Sequence, residues 1–535
     1  MGLNEQPMKR PIFLLFVLTL AGCEKPFDQL AQDPNRPVSA PASLILQGIE
    51  NDMYNANNAP AGYNGVTNEP WGAEQRWNQF YASNYNYYAT NDYAWTSTVF
   101  YYTTLKNVVR METEAANTGQ AAVNPYSALG KFFRAFFFEN MTKKVGDIPM
   151  TDALKGLDVL TPKYDTQKAV YQQILTWLDG ANADLTTLIA QGNTDLTGDL
   201  YLNNSLTQWQ KVVNTYKMRV LISLSKKEAD TDLNVKARFA EVLANPTKFP
   251  LMTGLADNLQ YQYNTVYNQY SRNPSNFGNN ATRENLTSTY VGLLTSLRDP
   301  RVFVVAEPAG ALVAAGAKPT DFGAFLGASS GEDLATMASK ANVGGYSFQN
   351  RRRYYSTYTA EPYMIIGYPE LQFNIAEGIS RGWAPGNAET YYQNGIRADW
   401  SFYGLTDGAN TVYFSADGSY KNFNTYTVNV SFADYYAQPT VKYAGNNTAG
   451  LTQINQQKYL AFAQNSGLEA FYNQRRTGVP KFEVGPGTGN STRIPLRWQY
   501  PATERQYNTA NYNEAVQRQF GTTGDDINAV MWLLQ

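Results

Sequence analysis

Between Thr166 and Ile189 the apolar residues Val170, Ile174, Leu178, Ala181, Leu185 and Leu188 step by 4, 4, 3, 4 and 3. That spacing puts them on one face of a helix, and Asp165 or Thr166 is placed to cap its start. A second helix is marked by Trp209, Val212, Val213, Tyr216, Val220, Leu221 and Leu224. A third is predicted from Ala128 to Lys143, stopping before Gly146-Asp147-Ile148-Pro149. Pro369 reads as a first-turn proline for a helix carrying Leu371, Ile375 and Ile379 and closing near Gly382. Ala388–Trp400 and Gln453–Arg476 complete the helical reading. Between these helices lie stretches rich in Gly, Asn, Tyr and Ser at 255–283, 306–360 and 405–450, read as irregular insertions that carry surface and function. Helix pairs joined by short turns are what a tetratricopeptide-like solenoid shows, although no strict 34-residue repeat recurs.

The N-terminus adds a compartment. Met8-Lys9-Arg10 is a positive n-region, and Pro11 to Leu20 is an apolar run too short to span a bilayer. Leu20-Ala21-Gly22-Cys23 follows, resembling a bacterial lipobox whose cysteine is acylated. Cys23 is the only cysteine of the 535 residues. The expected organisation is a signal peptide over 1–22, a lipidated extended tether over 23–40 and one domain over 41–535. No later stretch approaches a membrane-spanning length.

Composition narrows the chemistry. With no histidine, no Ser-His-Asp or Cys-His arrangement and no His-ligated zinc can form, and one cysteine excludes disulfides within the chain and thiolate clusters. Carboxylate-pair chemistry survives, as in glycosidases, and Glu69, Glu74 and Asp92 lie near an aromatic segment. Forty-three Lys+Arg against 45 Asp+Glu leave no basic footprint for nucleic acid. Charged residues are 16% of the chain and aromatics 14%, with 39 tyrosines. Polarity carried by neutral groups suits a surface that meets a neutral polar ligand or a crowded partner face.

Three segments are candidates for ligand contact. The first is 71–102, where aromatics interleave with Asn, Gln and Arg: rings lie against the apolar faces of a sugar while amides and guanidinium reach its hydroxyls. Trp71, Arg76, Trp77, Tyr81, Asn84, Tyr85 and Tyr88 are the expected contacts. The 4, 4, 3 spacing of Trp77, Tyr81, Tyr85 and Tyr88 equally describes a buried stripe, and Trp95, Phe100 and Tyr101 are assigned to core. The second segment is Tyr261 to Phe277, with Tyr267, Tyr270 and Arg272 as contacts. The third is Arg351-Arg352-Arg353-Tyr354-Tyr355, able to grip an acidic group or to form a salt-bridged turn. Arg475-Arg476-Thr477-Gly478 reads as a helix end with complementary charge and a glycine cap. No metal site and no cofactor are expected, with calcium on the acidic cluster of Glu228, Asp230 and Asp232 as the one alternative, although no loop there has EF-hand spacing.

Short strings along the chain resemble the SusD/RagB type of nutrient-binding lipoprotein. They include Asp33-Pro34-Asn35, Gly146-Asp147-Ile148-Pro149, Asp299-Pro300-Arg301 and Glu370-Leu371-Gln372-Phe373 with Ala376-Glu377. Gln457-Lys458-Tyr459, Gly467-Leu468-Glu469-Ala470, Arg475-Arg476-Thr477-Gly478 and Ile494-Pro495-x-Arg497 follow in order. Where the family often carries Trp, this chain reads Ala470-Phe471-Tyr472, and its end is Met531-Trp532-Leu533-Leu534-Gln535 instead of a tandem-Trp segment. The resemblance implies a mainly α fold, a tetratricopeptide-like helix-pair superhelix with long loop insertions and minor β. It implies outer-membrane anchoring facing outward, and a SusC-like TonB-dependent barrel over which the protein sits as a non-catalytic lid, passing on oligosaccharide or, in some members, peptide. The alternatives are a surface glycosidase and a purely structural barrel-associated lipoprotein.

Overall fold

The structure is a computed structural model, described here for residues 1–2, 39–54, 72–87, 89–463, 465–521 and 524–535. The chain divides after Pro41, and the unit Ala42–Gln535 carries every helix and strand among the described residues. The signal run, the lipobox and Cys23 lie outside the described residues, as do Trp71 and Tyr88.

In chain order the elements that frame the molecule are helix α1 (Ala42–Tyr54), strand β1 (Tyr81–Ser83), and helices α2 (Tyr102–Asn117), α3 (Pro125–Val145), α4 (Gln167–Ala190) and α5 (Leu206–Ser223). Next come β2 (Leu259–Tyr261), β3 (Glu284–Leu286), the short α6 (Arg351–Tyr355), β4 (Tyr363–Ile366), α7 (Tyr368–Ser380) and α8 (Ala388–Phe402). The hairpin β5 (Gly408–Ser415) and β6 (Phe423–Val430) precedes α9 (Thr448–Ala461) and α10 (Glu469–Thr477). Sequential helices pack as pairs: α1 on α2, α2 on α3, α3 on α4, α4 on α5, then α7 on α8 and α9. The strands form three two-stranded antiparallel sheets, β1–β3, β2–β4 and β5–β6.

The local signals explain these elements. All six stripe residues of α4 are buried. Thr166 is its cap, its side chain accepting the Ala169 N–H at 3.3 Å. Asp165 instead accepts the Met150 and Thr151 N–H groups at 2.9 and 2.8 Å, holding the Gly146–Pro149 turn to the helix start. Helix α3 begins with a capping box between Asn124 and Ser127. It is buried almost all round, Phe132, Phe133 and Phe137 included, because neighbours cover it on both sides. Pro369 falls in the first turn of α7, and Gly382 follows its end with φ 74°.

Three sequence expectations change. The helix expected over Gln453–Arg476 is two helices, α9 and α10, because Asn465 (φ 61°) and Gly467 (φ 59°) take left-handed conformations between them. The 405–450 stretch is not irregular throughout: it contains the hairpin of two eight-residue strands, whose Val412, Phe414, Val428 and Val430 are buried while the positions between them are exposed or half-buried. Likewise 306–360 contains helices at Gly310–Ala314, Leu334–Asn342 and α6.

Among the described residues several ionic groups lie inside the core, and two clusters of them hold the family strings together. Arg301 binds Asp299 through Nε and Nη2 at 2.9 and 2.6 Å, Gln457 at 2.7 Å, and Asp399 through Nη1, all four side chains being buried. The second cluster centres on Glu377, which accepts Arg476 Nη1 and Nη2 at 2.5 and 2.8 Å and Arg381 Nε at 2.9 Å, with Lys458 at 4.0 Å. Burial alone would raise the Glu377 carboxyl, but Arg476, Lys458 and Arg381 outweigh it and hold the group at about 2. Burial pulls Lys458 down to about 8 against the support of Glu377.

Candidate ligand-binding surface

Pairing of β1 with β3 sets Ser83 opposite Glu284. Glu284 takes both its oxygens to Arg272 Nη2, at 2.8 and 2.9 Å. Asn84 donates to the Thr282 carbonyl at 3.0 Å, tightening the same junction. Past it, the Tyr355 ring packs edge-on to Phe277 at 5.2 Å, and Arg351 lies 5.6 Å from that ring. The three candidate segments, far apart in sequence, therefore meet at one place.

Their side chains have unequal access. Trp77 is buried: its indole N–H donates to the Asp92 carbonyl at 3.1 Å, and its ring meets Trp95 and Trp498 edge-on at 5.4 and 6.0 Å. Tyr81 is fully buried, its hydroxyl bonded to the Gly72 carbonyl at 3.0 Å. Tyr270 is fully buried against Tyr263 at 5.2 Å. Burial pushes Tyr81 well above the ordinary tyrosine range, with nearby Glu284 adding to the rise. For these three rings the expected ligand face is a core face, because their neighbours occupy the space a sugar would need. Arg272 and Asn84 hold the scaffold together through Glu284 and Thr282 rather than project outward. Arg76, half-buried, donates Nε to the Thr90 carbonyl at 3.0 Å. Trp95 and Tyr101 are core, and Phe100 packs half-buried against it.

What stays open is Tyr85 (41% exposed), the adjacent Tyr87 (78%) and, in the second segment, Tyr267 (94%). Arg283 lies 4.0 Å from the centre of the Tyr85 ring and Tyr87 sits 6.4 Å away. Ser275 and the Tyr358 hydroxyl are 3.0 Å apart, and Phe277 meets Tyr420 at 5.0 Å. Tyr87, Arg283, Tyr358 and Tyr420 were not among the sequence candidates. Only for Tyr87 was there a signal, since it stands in the same aromatic run. The other three reach the region through strand pairing and ring packing.

The arginine run divides three ways. Arg351 is buried beside Phe348 and Phe277, and burial lowers its pKa. Arg353 pairs through Nε with buried Glu361, and Arg352 is exposed over the ring of Tyr413. At the α10 end, Gly478 is the left-handed cap (φ 77°) as read, while Arg475 and Arg476 turn into the protein to Leu496, Lys143 and Glu377. Glu74 is buried, and Glu69 lies outside the described residues. Asp230 and Asp232 pair with Lys168, and Glu228 with Lys236 and the Trp383 N–H. Among the described residues no group of acidic or cysteine side chains is arranged to hold a metal ion, and no helix is long and apolar enough to cross a membrane.

A body of tetratricopeptide-like helix pairs that displays tyrosines and arginines on its insertions is a helical binding protein in architecture. Residues 34–501 match the SusD-like family model described as starch-binding and associating with the outer membrane, and the chain belongs to that family. It is similar to a SusD homologue from Bacteroides fragilis at 29% identity and TM-score 0.78, covering 93% of this chain and 100% of that one. A second B. fragilis SusD homologue has 30% identity, TM-score 0.74 and the same coverage. A chitin-binding SusD homologue from Flavobacterium johnsoniae shares the fold at 20% identity and TM-score 0.68, over 92% of this chain and 98% of that one. No curated protein matches the chain.

Proposed function

We propose that the protein is a cell-surface lipoprotein, anchored in the outer membrane through acylated Cys23, that captures nutrient oligosaccharide and hands it to a SusC-like TonB-dependent barrel without chemistry. The observation that carries this reading is the exposed tyrosine surface at Tyr85 and Tyr87, backed by Arg283 and fixed by the β1–β3 pairing. Exposed rings beside a guanidinium donor offer a sugar both stacking and hydrogen bonds, and stacking accepts glycans of many kinds. Tyr267, 94% exposed, offers a further open ring on the segment that Arg272 ties to β3. Family membership supports a glycan ligand and the outer membrane, and the chitin-binding relative supports a polysaccharide source.

Calorimetric titration of the acyl-free protein (Cys23→Ser) against a panel of glycans and peptides tests this. Saturable binding of a glycan, weakened at least tenfold by Tyr87→Ala or Tyr267→Ala with the thermal midpoint unchanged, is expected. Recovery of a TonB-dependent barrel with the native lipoprotein from membranes tests the partner. Binding of peptides alone, or of nothing while the barrel still co-purifies, refutes the glycan reading.

A further inference from the structure

Between α6 and β5 lies a groove of about 440 Å³, inside the ~300–1,000 Å³ range typical of small-molecule sites. Its lining includes Arg352 and Arg353 and no acidic side chain, in a protein whose formal charge is −2. The two arginines are not equivalent. Arg353 gives its Nε to Glu361, which is 1% exposed, so its charge is matched inside the protein. The Arg352 guanidinium lies 3.6 Å from the centre of the Tyr413 ring, and among the described residues it makes no hydrogen bond and no ion pair.

The ring beneath Arg352 is fixed to the helix that carries it. Asn350 caps α6 by accepting the Arg353 N–H at 2.9 Å, and its Nδ2 donates to the Tyr413 carbonyl at 2.8 Å. Two residues on, the Ser415 N–H is held by Glu307 at 2.9 Å. A guanidinium resting on a ring has its face covered and its N–H groups directed outward in one plane, the fork that matches a planar carboxylate or a sulfate. Exposed Thr357 and Thr411 add hydroxyls to the lining.

We propose that this groove binds an acidic sugar unit, a saccharide bearing a carboxylate or sulfate, with Arg352 gripping the anion over Tyr413. The inference rests on the saccharide reading above and adds a charge requirement that the tyrosine surface does not have. It makes the ligand class an anionic glycan and gives the protein a second contact separate from Tyr85 and Tyr87.

The test is calorimetry of the acyl-free protein at low and at 300 mM salt. The probes are oligosaccharides of galacturonate, glucuronate and mannuronate with their neutral methyl esters, and sulfated oligosaccharides with their desulfated forms. At least one acid form is expected to bind ten times or more tighter than its neutral counterpart, and high salt should narrow the gap. Arg352→Ala should abolish that preference with the thermal midpoint unchanged, while Arg352→Lys should restore part of it. A carboxylate preference with none for sulfate identifies a uronate, and the reverse a sulfated sugar. Equal binding of acid and neutral forms, or a preference that survives Arg352→Ala, overturns the proposal while leaving the glycan function standing. Binding of no saccharide, acidic or neutral, overturns both.

Discussion

Replacing Glu377 by Gln removes the one carboxylate that three cations share. Glu377 is fully buried, Arg476 and Lys458 are almost so, and Arg381 is 23% exposed. Two routes give the size of the loss. The carboxyl is held at about 2 against an ordinary 4.5, and at about 1.4 kcal/mol per tenfold that gap is worth roughly 3 kcal/mol. Breaking a buried ion pair by removing one partner costs ~3–5 kcal/mol, because the remaining charges stay buried without compensation. The two agree. Urea unfolding at pH 7 should therefore show Glu377→Gln destabilised by ~3–5 kcal/mol with little change in slope. The sign with pH follows from the lowered value: the stabilisation is fully present above about 4.5 and is lost as pH falls toward about 2. The difference between wild type and variant should accordingly shrink across that window. Glu241→Gln, which breaks an exposed pair with Lys248, is the control, with an expected cost below ~1 kcal/mol. A Glu377→Gln midpoint within ~1 kcal/mol of wild type, or a difference that does not change between pH 5 and 2, refutes the assignment of Glu377 as the neutraliser of this cluster.

Trp77→Ala should cost ~3–5 kcal/mol in denaturant melts, since it empties space beside Trp95 and Trp498, whereas Tyr87→Ala should leave stability within ~0.5 kcal/mol. Burial, against the pull of Arg301, pushes Asp399 up to about 6 from an ordinary 3.8, so its part of the stability decreases as pH rises from about 4 to 6. Melting curves of Asp399→Asn over that range should lack this slope. A Cβ at Gly378 would fall 2.2 Å from the Phe239 ring, and Gly378→Ala should cost ~1–3 kcal/mol, partly recovered by Phe239→Leu. Thr166→Ala, which removes the α4 cap, should cost ~1 kcal/mol in the same unfolding assay.

The strings that carried the family resemblance turn out to be largely scaffold. Asp299-Pro300-Arg301 folds back on itself to bind Asp399 and Gln457, and Glu377, Lys458 and Arg476 form the second buried cluster. Asp147 of the Gly146–Pro149 turn accepts the Gln167 N–H at 2.8 Å and Arg518 at 2.7 Å, joining the start of α4 to the C-terminal helix Thr509–Phe520. Phe471 meets Trp95 edge-on at 4.8 Å, so its departure from the family pattern still fills the core.

The sequence by itself determined several of the helices, because apolar spacing, caps and first-turn prolines act over a few residues and need no distant partner, whereas α1, α2 and the break between α9 and α10 were not read from it. The α4 stripe, the stop of α3 before Gly146 and the Gly478 cap were all legible in that way, while α3 starts at Pro125 rather than at Ala128. It also determined what chemistry is impossible, since a chain without histidine cannot use one. Whether an aromatic is core or surface was decided only by tertiary structure. Trp77, Tyr81 and Tyr85 stand at the same helical spacing, yet the helix ends at Trp77 and the chain turns through Gln79 (φ 55°) into β1. That turn leaves Trp77 and Tyr81 buried and Tyr85 at the surface. The fate of the arginine run was decided in the same way: three identical side chains in a row were separated by what each met, Phe277, Tyr413 or Glu361. Those partners lie between 8 and 74 residues away, and only the packing of the insertions brings them close.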